Sequence, residues 1–213
     1  MQIAILLFDR VTTLDAIGPY QVLCNLPDSE VVFAGERTGL VHGESNGIGL
    51  MVDAELADVP NPDIVLVPGG AGQRDHMAEG PVHQWLRAVD ATATWMTSVC
   101  TGSLILAAAG LLDGRKATSH WLAVHTLAEH GAIPTRKRVV MDGKYVTGAG
   151  VSAGIDMALS LTATIAGNEF AQRVQLGIEY DPQPPFNAGS PDTAPEEIVA
   201  FARSQSRFIL QGS

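Results

Sequence analysis

The chain has 213 residues, 46% hydrophobic and 17% charged, which is enough to close one sizeable core and excludes intrinsic disorder. Thirteen Lys and Arg against 23 Asp and Glu give a formal net charge of −10, so the long-range field repels phosphate backbones and we expect no nucleic-acid partner. The N-terminal segment lacks a basic region, and no apolar run is long enough to span a bilayer, so we expect a cytoplasmic protein that makes no membrane contact.

Short β-branched runs alternate with helical patterns, which predicts a parallel sheet covered on both faces in a single domain over residues 1–213. In the first half the predicted elements are a buried strand at Ile3 to Phe8, a helix at Thr13 to Asn25 with Thr12 or Thr13 as its cap, a strand at Val31 to Ala34, a turn or hairpin from Gly39 to Gly49, and a strand at Asp63 to Val67 that ends at Pro68-Gly69-Gly70.

In the second half the predicted elements are an amphipathic helix from Gly80 to Ala91, a strand at Thr94 to Val99, a helix from Gly102 to Leu112, an Asp-Gly hairpin from Val139 to Thr147, and helices at about Ser152 to Ala166 and Glu169 to Glu179. Prolines make the segment near 181–195 extended, because proline cannot continue a helix and disfavours helix in the residue before it. A short helix follows Pro195.

The residue that carries the chemistry is Cys100, in Ser98-Val99-Cys100-Thr101-Gly102-Ser103. It lies between a predicted strand and a predicted helix N-terminus, and Gly102 permits a sharp bend like the nucleophile elbow of hydrolases, which leaves the thiol exposed. The helix dipole then lowers the cysteine pKa and favours the thiolate. The alternative is that Cys100 is a small buried hydrophobic residue. With Cys24 as the second cysteine, and histidines that show no metal-ligand spacing, we expect no metal site.

Four segments together resemble the DJ-1/PfpI superfamily, most closely its isonitrile hydratase branch. They are Val67-Pro68-Gly69-Gly70, Ser98 to Ser103, Ala107 to Gly114 and Ala117 to Trp121, and Tyr180 to Phe186 extends the likeness. The resemblance implies a flavodoxin-like α/β sandwich, commonly a homodimer, with Cys100 as nucleophile at the elbow. It also implies that the backbone N–H groups of Gly70 and Thr101 form an anion-binding notch next to Gly69, and that Asp15 on the first helix faces the cysteine.

Elementary chemistry supports a role for Asp15, because a carboxylate facing a partly buried sulfur can hold the thiol proton, and burial raises its pKa. The alternative is a first-turn acid that complements the helix dipole. Isonitrile hydration suits such a pair, since the terminal carbon of the small-molecule substrate accepts both a nucleophile and a proton. We expect a thioimidate on Cys100, hydrolysed with Asp15 as acid and base and with Thr101 beside the sulfur or the water, without any cofactor. His120 has a secondary place near the cysteine, or is a structural residue.

Two departures separate this chain from other members. Thr101 stands where the protease-like members carry His, so peptidase activity is not expected, and Asp15 stands where glyoxalase-like members usually carry Glu. A glyoxalase or deglycase activity, or a non-catalytic ligand or redox sensor, remains the alternative function.

Overall fold

A computed structural model describes residues 1–45 and 47–206 of the chain. The strands in chain order are β1 (Gln2–Leu6), β2 (Glu30–Gly35), β3 (Gly39–His42), β4 (Gly49–Val52), β5 (Ala54–Glu55), β6 (Ile64–Val67), β7 (Trp95–Val99), β8 (Lys116–Ala117), β9 (Ile133–Pro134), β10 (Val139–Asp142) and β11 (Tyr145–Gly148). The α-helices are α1 (Thr13–Leu23), α2 (Pro81–Asp90), α3 (Gly102–Ala108), α4 (Ala153–Ala166), α5 (Asn168–Gly177) and α6 (Glu196–Ser204). Three 3₁₀ segments span Leu56–Asp58, Ala71–His76 and Val124–His130.

The central sheet has seven strands in the order β10-β11-β7-β6-β1-β2-β5. All neighbours are parallel except β10 and β11, which form an antiparallel hairpin closed at Gly143 with φ 61°. The parallel strands follow the flavodoxin-like order, so the topological switch point lies between β1 and β6. Ligands of such sheets bind beyond the carboxyl ends of the strands at this point, which directs attention to the loops after β1, β6 and β7.

Helices cover both faces of the sheet, because the buried strands alternate their side chains between two cores. In β1, Ala4 and Leu6 pack into one core with residues of α2 and α3, whereas Ile3 and Ile5 pack into the other with residues of α1, α4 and α5. The predicted α/β sandwich with a mostly parallel sheet is therefore confirmed.

Most predicted elements form within a few residues of their expected bounds, with two informative differences. Helix α3 ends at Ala108 rather than Leu112, because Gly110 adopts φ 82°, a left-handed conformation that ends the helix. Thr12 occupies the N-cap position of α1, but its hydroxyl donates to Glu44 Oε1 (2.7 Å) instead of capping the helix. A loop contact across 32 residues thus takes the place of the local cap.

The chain after α5 runs without helix or strand from 178 to 195 and then forms α6. This stretch contains the proline-rich segment. In the described part of the chain, no helix is both long and apolar enough to cross a bilayer.

Candidate active site

Cys100 lies at a sharp backbone turn between β7 and α3, with φ 56°. A non-glycine residue in this region is strained by roughly 1–3 kcal/mol, which surrounding contacts must offset. The bend brings α3 so close to β6 that a Cβ on Gly102 would lie 2.0 Å from the carbonyl oxygen of Val67. Glycine at position 102 is therefore required for the elbow, as the sequence predicts.

Hydrogen bonds from three directions hold the strained Cys100 backbone. Its N–H donates to the carbonyl of Ala149 (2.8 Å), and its carbonyl accepts from the hydroxyls of Ser119 (2.9 Å) and Ser103 (3.1 Å). Neither serine was predicted from the sequence to have a role at the site. Ser103 could have been found, since a Ser in the first turn of a helix can bond a carbonyl three residues before it. Ser119 is distant in sequence and gave no local signal.

The Cys100 thiol is buried, with only 5% of the residue exposed, so the predicted exposed thiol is wrong. The residue belongs to the core cluster that contains Ala16, Val99 and Met157. This environment also reverses the expected pKa direction: burial, and next the nearby Asp15 carboxylate, raise the pKa of Cys100 above its ordinary value. Helix α3 has only seven residues, and its dipole does not overcome desolvation. The group at rest is a thiol.

Asp15 is fully buried in α1, and its Oδ2 accepts the N–H of Gly69 (2.9 Å). Burial raises the pKa of Asp15 to about 7, with a further increase from Glu44, against opposing effects of the Gly69 hydrogen bond and the Cys100 thiol. Among the described residues, Oδ1 has no partner that meets ordinary hydrogen-bond geometry. The carboxyl therefore changes protonation near neutral pH while coupled to a neighbouring thiol, and the interpretation of Asp15 as a simple dipole-complementing acid does not explain this burial.

The loop after β6 joins Asp15 to Thr101. A Cβ on Gly69 would lie 2.5 Å from the Thr101 nitrogen and 3.1 Å from Asp15 Oδ2, so these groups converge around position 69. The N–H of Gly70, which has φ 127°, donates to Thr101 Oγ1 (3.1 Å). The expected notch of Gly70 and Thr101 amides is therefore only partly present, because the Gly70 amide meets the Thr101 hydroxyl.

Two further residues act on the site that the sequence analysis missed. The backbone N–H groups of Thr101 and of Val151, which lies in the turn before α4, stabilise negative charge on the Cys100 sulfur. Glu44 lies in the loop between β3 and β4, where its Oε2 accepts the N–H of Ala71 (3.0 Å). The Glu44 charge raises the pKa of both Asp15 and Cys100. Both residues come from loops that only the tertiary fold brings to the elbow.

His120 lies beside the site, against the backbone after β11. A Cβ on Gly150 would lie 2.8 Å from the His120 ring, and His120 Nδ1 accepts the N–H of Leu122 (3.3 Å). Burial lowers the pKa of His120, although Glu44 opposes this. The ring is thus favoured as neutral imidazole. Nowhere in residues 1–45 and 47–206 do three His, Cys, Asp or Glu side chains form a cluster suited to a metal ion.

Known proteins are similar to this chain in sequence and in structure. The model of the DJ-1/PfpI family matches residues 1–164. A curated isonitrile hydratase of Pseudomonas putida is 46% identical over 211 residues, covering 99% of this chain and 92% of the relative. A crystal structure of a ThiJ/PfpI family protein from Pseudomonas syringae superimposes with a TM-score of 0.93 at 38% identity, over 95% of this chain and 84% of that one.

A more distant structure shares the fold. DJ-1beta of Drosophila melanogaster has a TM-score of 0.74 at 25% identity, over 84% of this chain and 97% of that one. Three findings agree: the family model matches residues 1–164, the P. putida relative aligns with 99% of this chain, and the strand order is flavodoxin-like. The chain belongs to the DJ-1/PfpI family.

Proposed function

We propose that this protein is an isonitrile hydratase, a lyase that adds water to an isonitrile R–N≡C to give the N-substituted formamide. Its similarity to the P. putida isonitrile hydratase extends over nearly the full length of both chains. The observation that carries the chemistry is the fully buried Asp15 carboxyl coupled to the Cys100 thiol, a pair that gains or loses one proton at the carboxyl near neutral pH while the sulfur stays protonated.

In the first half-reaction the Cys100 sulfur forms a bond to the terminal carbon of the isonitrile. The thiol proton passes to the Asp15 carboxylate and from there to the same carbon, which leaves the neutral thioimidate R–N=CH–S and an ionised Asp15. Because the thiol has a raised pKa, the carboxylate is needed to remove its proton as the carbon–sulfur bond forms.

In the second half-reaction the Asp15 carboxylate takes a proton from water as the oxygen attacks the thioimidate carbon. That proton is delivered to nitrogen, giving R–NH–CH(OH)–S. Collapse of this tetrahedral species breaks the carbon–sulfur bond, returns the hydroxyl proton to sulfur and releases R–NH–CHO. The thiol and the carboxylate are then restored, so no cofactor is consumed.

The backbone around position 101 has a supporting role. Since Thr101 Oγ1 accepts the N–H of Gly70, the hydroxyl hydrogen points elsewhere and serves to orient the attacking water. The N–H groups of Thr101 and Val151 stabilise charge on sulfur as the carbon–sulfur bond breaks. Gly69 fixes the Asp15 carboxyl, and His120 forms the adjacent wall as neutral imidazole.

The protein acts, in this proposal, as a cytoplasmic homodimer. Two observations support the dimer: proteins of this family commonly form homodimers, and the exposed side chains of Phe186 and Phe201 after α5 are apolar surface that a partner subunit can cover. Light scattering on the purified chain tests the state of association.

The proposal is tested by incubating the purified protein with cyclohexyl isocyanide and measuring N-cyclohexylformamide. Wild type is expected to form the formamide, and both Cys100→Ala and Asp15→Asn are expected to lose at least about a hundredfold in kcat/KM. Intact-mass measurement during turnover is expected to show the thioimidate adduct on wild type and not on Cys100→Ala.

The alternatives give different results in the same assays. Consumption of methylglyoxal with no formation of formamide would favour a glyoxalase-like enzyme. Binding of the isonitrile without conversion, by wild type and both variants alike, would favour a ligand sensor.

A further inference from the structure

A groove of about 540 Å³ adjoins the backbone of the active site. Ser119, Ala149 and Val151 contribute to its wall, and the same three residues contact the Cys100 backbone or sulfur through their hydroxyl, carbonyl and N–H groups. Its volume falls in the range of small-molecule binding sites. Part of the groove wall therefore lies in direct contact with the nucleophile residue Cys100.

The lining of the groove is strongly basic in an acidic protein. Four of the chain's 13 Lys and Arg line it, namely Arg136, Lys137, Arg138 and Arg203. Of the described residues that form the wall, Asp192 is the acidic one. The formal net charge of the whole chain is −10, so this local excess of positive charge is opposite in sign to the rest of the molecule.

The basic side chains differ in whether a carboxylate already neutralises them. Arg138 donates from Nε to Asp156 Oδ2 (2.7 Å), so its charge is paired. In the part of the chain that the structure describes, neither Arg136 nor Lys137 has a carboxylate within ion-pair distance. Arg203 of α6 lies 6.0 Å from the centre of the Trp121 ring, and both residues line the groove. Arg136 and Lys137 are thus exposed cations of the groove wall that no carboxylate of the described residues neutralises.

We infer that this groove selects isonitriles that carry a carboxylate, with the isonitrile carbon at Cys100 and the anionic end on Arg136 and Lys137. The inference rests on the proposed isonitrile hydratase function and adds a substrate class to it. A guanidinium and an ammonium together hold a carboxylate through charge-assisted hydrogen bonds, which a neutral substituent cannot accept with the same strength. Arg203 with Trp121 closes the groove from the C-terminal helix.

The test compares potassium isocyanoacetate and a longer ω-isocyanoalkanoate with their methyl esters, so that each acid differs from its control in the negative charge and in one methyl group. Of the two acids, one will have the chain length that better spans the groove. For this length, wild type is expected to show a kcat/KM about tenfold or more higher for the acid than for its methyl ester. In the Arg136→Gln, Lys137→Gln double variant this acid-to-ester ratio is expected to fall to about one, while kcat/KM for the ester stays within about twofold. The acid preference is also expected to shrink at high ionic strength.

Lys116→Gln is the matched control, because Lys116 is exposed on β8, is absent from the groove wall and carries the same charge as Lys137. This variant is expected to keep the acid preference. A wild type that prefers the ester, or a double variant that keeps the full acid preference, would overturn the inference.

Failure of the proposed function can be told apart from failure of this inference by binding to Cys100→Ala. Calorimetric titration of that variant with the longer ω-isocyanoalkanoate measures the groove without turnover. Binding that is lost on adding Arg136→Gln and Lys137→Gln supports the groove even where wild type hydrates no isonitrile. Absence of binding, or binding unaffected by the two substitutions, would contradict it.

Discussion

The amide N–H of Gly69 donates a 2.9 Å hydrogen bond to Asp15 Oδ2, linking the loop after β6 to the first turn of α1 across 54 residues. The bond fixes a carboxyl that is fully buried and lies beside the Cys100 thiol. A buried carboxyl with one defined hydrogen bond and a pKa near 7 can exchange a proton with its neighbours at physiological pH.

The first prediction concerns the pH dependence of catalysis. Below about pH 7 the Asp15 carboxyl is protonated and cannot take the thiol proton, so kcat/KM for cyclohexyl isocyanide is expected to rise with pH through about 7 and then reach a plateau. Initial rates between pH 5 and 9 measure this profile. A decrease of kcat/KM between pH 6 and 8 would contradict the assigned protonation state.

The second prediction concerns Glu44, whose charge raises the pKa of Asp15. Glu44→Gln keeps the size of the side chain and an oxygen that can accept from Thr12, while it removes the charge. The midpoint of the pH–rate profile is expected to move to lower pH. Glu30→Gln is the control, because Glu30 is exposed at the start of β2, at the opposite end of the strands from Cys100. Removing the Glu30 charge should leave the midpoint of the pH–rate profile unchanged. Equal midpoints for wild type and Glu44→Gln would exclude the electrostatic role of Glu44.

The third prediction concerns folding stability. The folded-state pKa of Asp15 is raised above its ordinary value of 3.8, so the native state holds this proton more tightly than the unfolded state. Stability from this group is therefore present at low pH and is lost as pH rises from about 4 to about 7, by an amount on the order of 4 kcal/mol in the linkage relation.

Asn at position 15 does not titrate. The stability of Asp15→Asn minus that of wild type is therefore expected to be about 1–3 kcal/mol larger at pH 8 than at pH 4.5. Thermal or urea unfolding of both proteins at both pH values measures this stability difference. The effects of the other carboxyl groups on stability cancel, because variant and wild type share them. The exposed Asp58→Asn variant is the control and should show no such change. A stability difference between Asp15→Asn and wild type that is the same at both pH values would argue against a raised pKa.

Local patterns in the sequence were sufficient for the alternation of strands and helices and for the sharp bend at Cys100. The strand runs, the Asp-Gly hairpin and the glycine at 102 each have a local physical cause, and the structure forms them close to their predicted places. The pairing of Asp15 with Cys100 was predicted from family resemblance. No local pattern indicates it, because the two residues are 85 positions apart in the chain.

The wrong expectations concern quantities that the tertiary environment determines. The pKa of Cys100 depends on how completely α4 and the neighbouring core cover it, and no local pattern reports that burial. The same holds for Glu44 and Val151, which loops carry to the site from distant segments. The Gly70 amide was expected to face an anion, and only the side-chain rotamer of Thr101 decides that it meets a hydroxyl instead.

The last prediction concerns the close approach at Gly69. Gly69→Ala places a methyl group 2.5 Å from the backbone nitrogen and 2.6 Å from the Oγ1 of Thr101, against a part of the elbow that cannot move without shifting α3. Overpacking of this kind typically costs about 1–3 kcal/mol of stability, and displacement of Asp15 and Thr101 is expected to reduce kcat/KM at least about a hundredfold.

Gly177→Ala provides the matched control, because a Cβ at the end of α5 meets no atom within 4 Å and alanine favours helix. This control should retain full activity and equal or greater stability. Activity and thermal unfolding of the two variants are measured side by side with wild type. If Gly69→Ala folded with wild-type stability and kept its rate, Asp15, Gly69 and Thr101 could not form the tightly packed unit on which the proposed proton transfer depends.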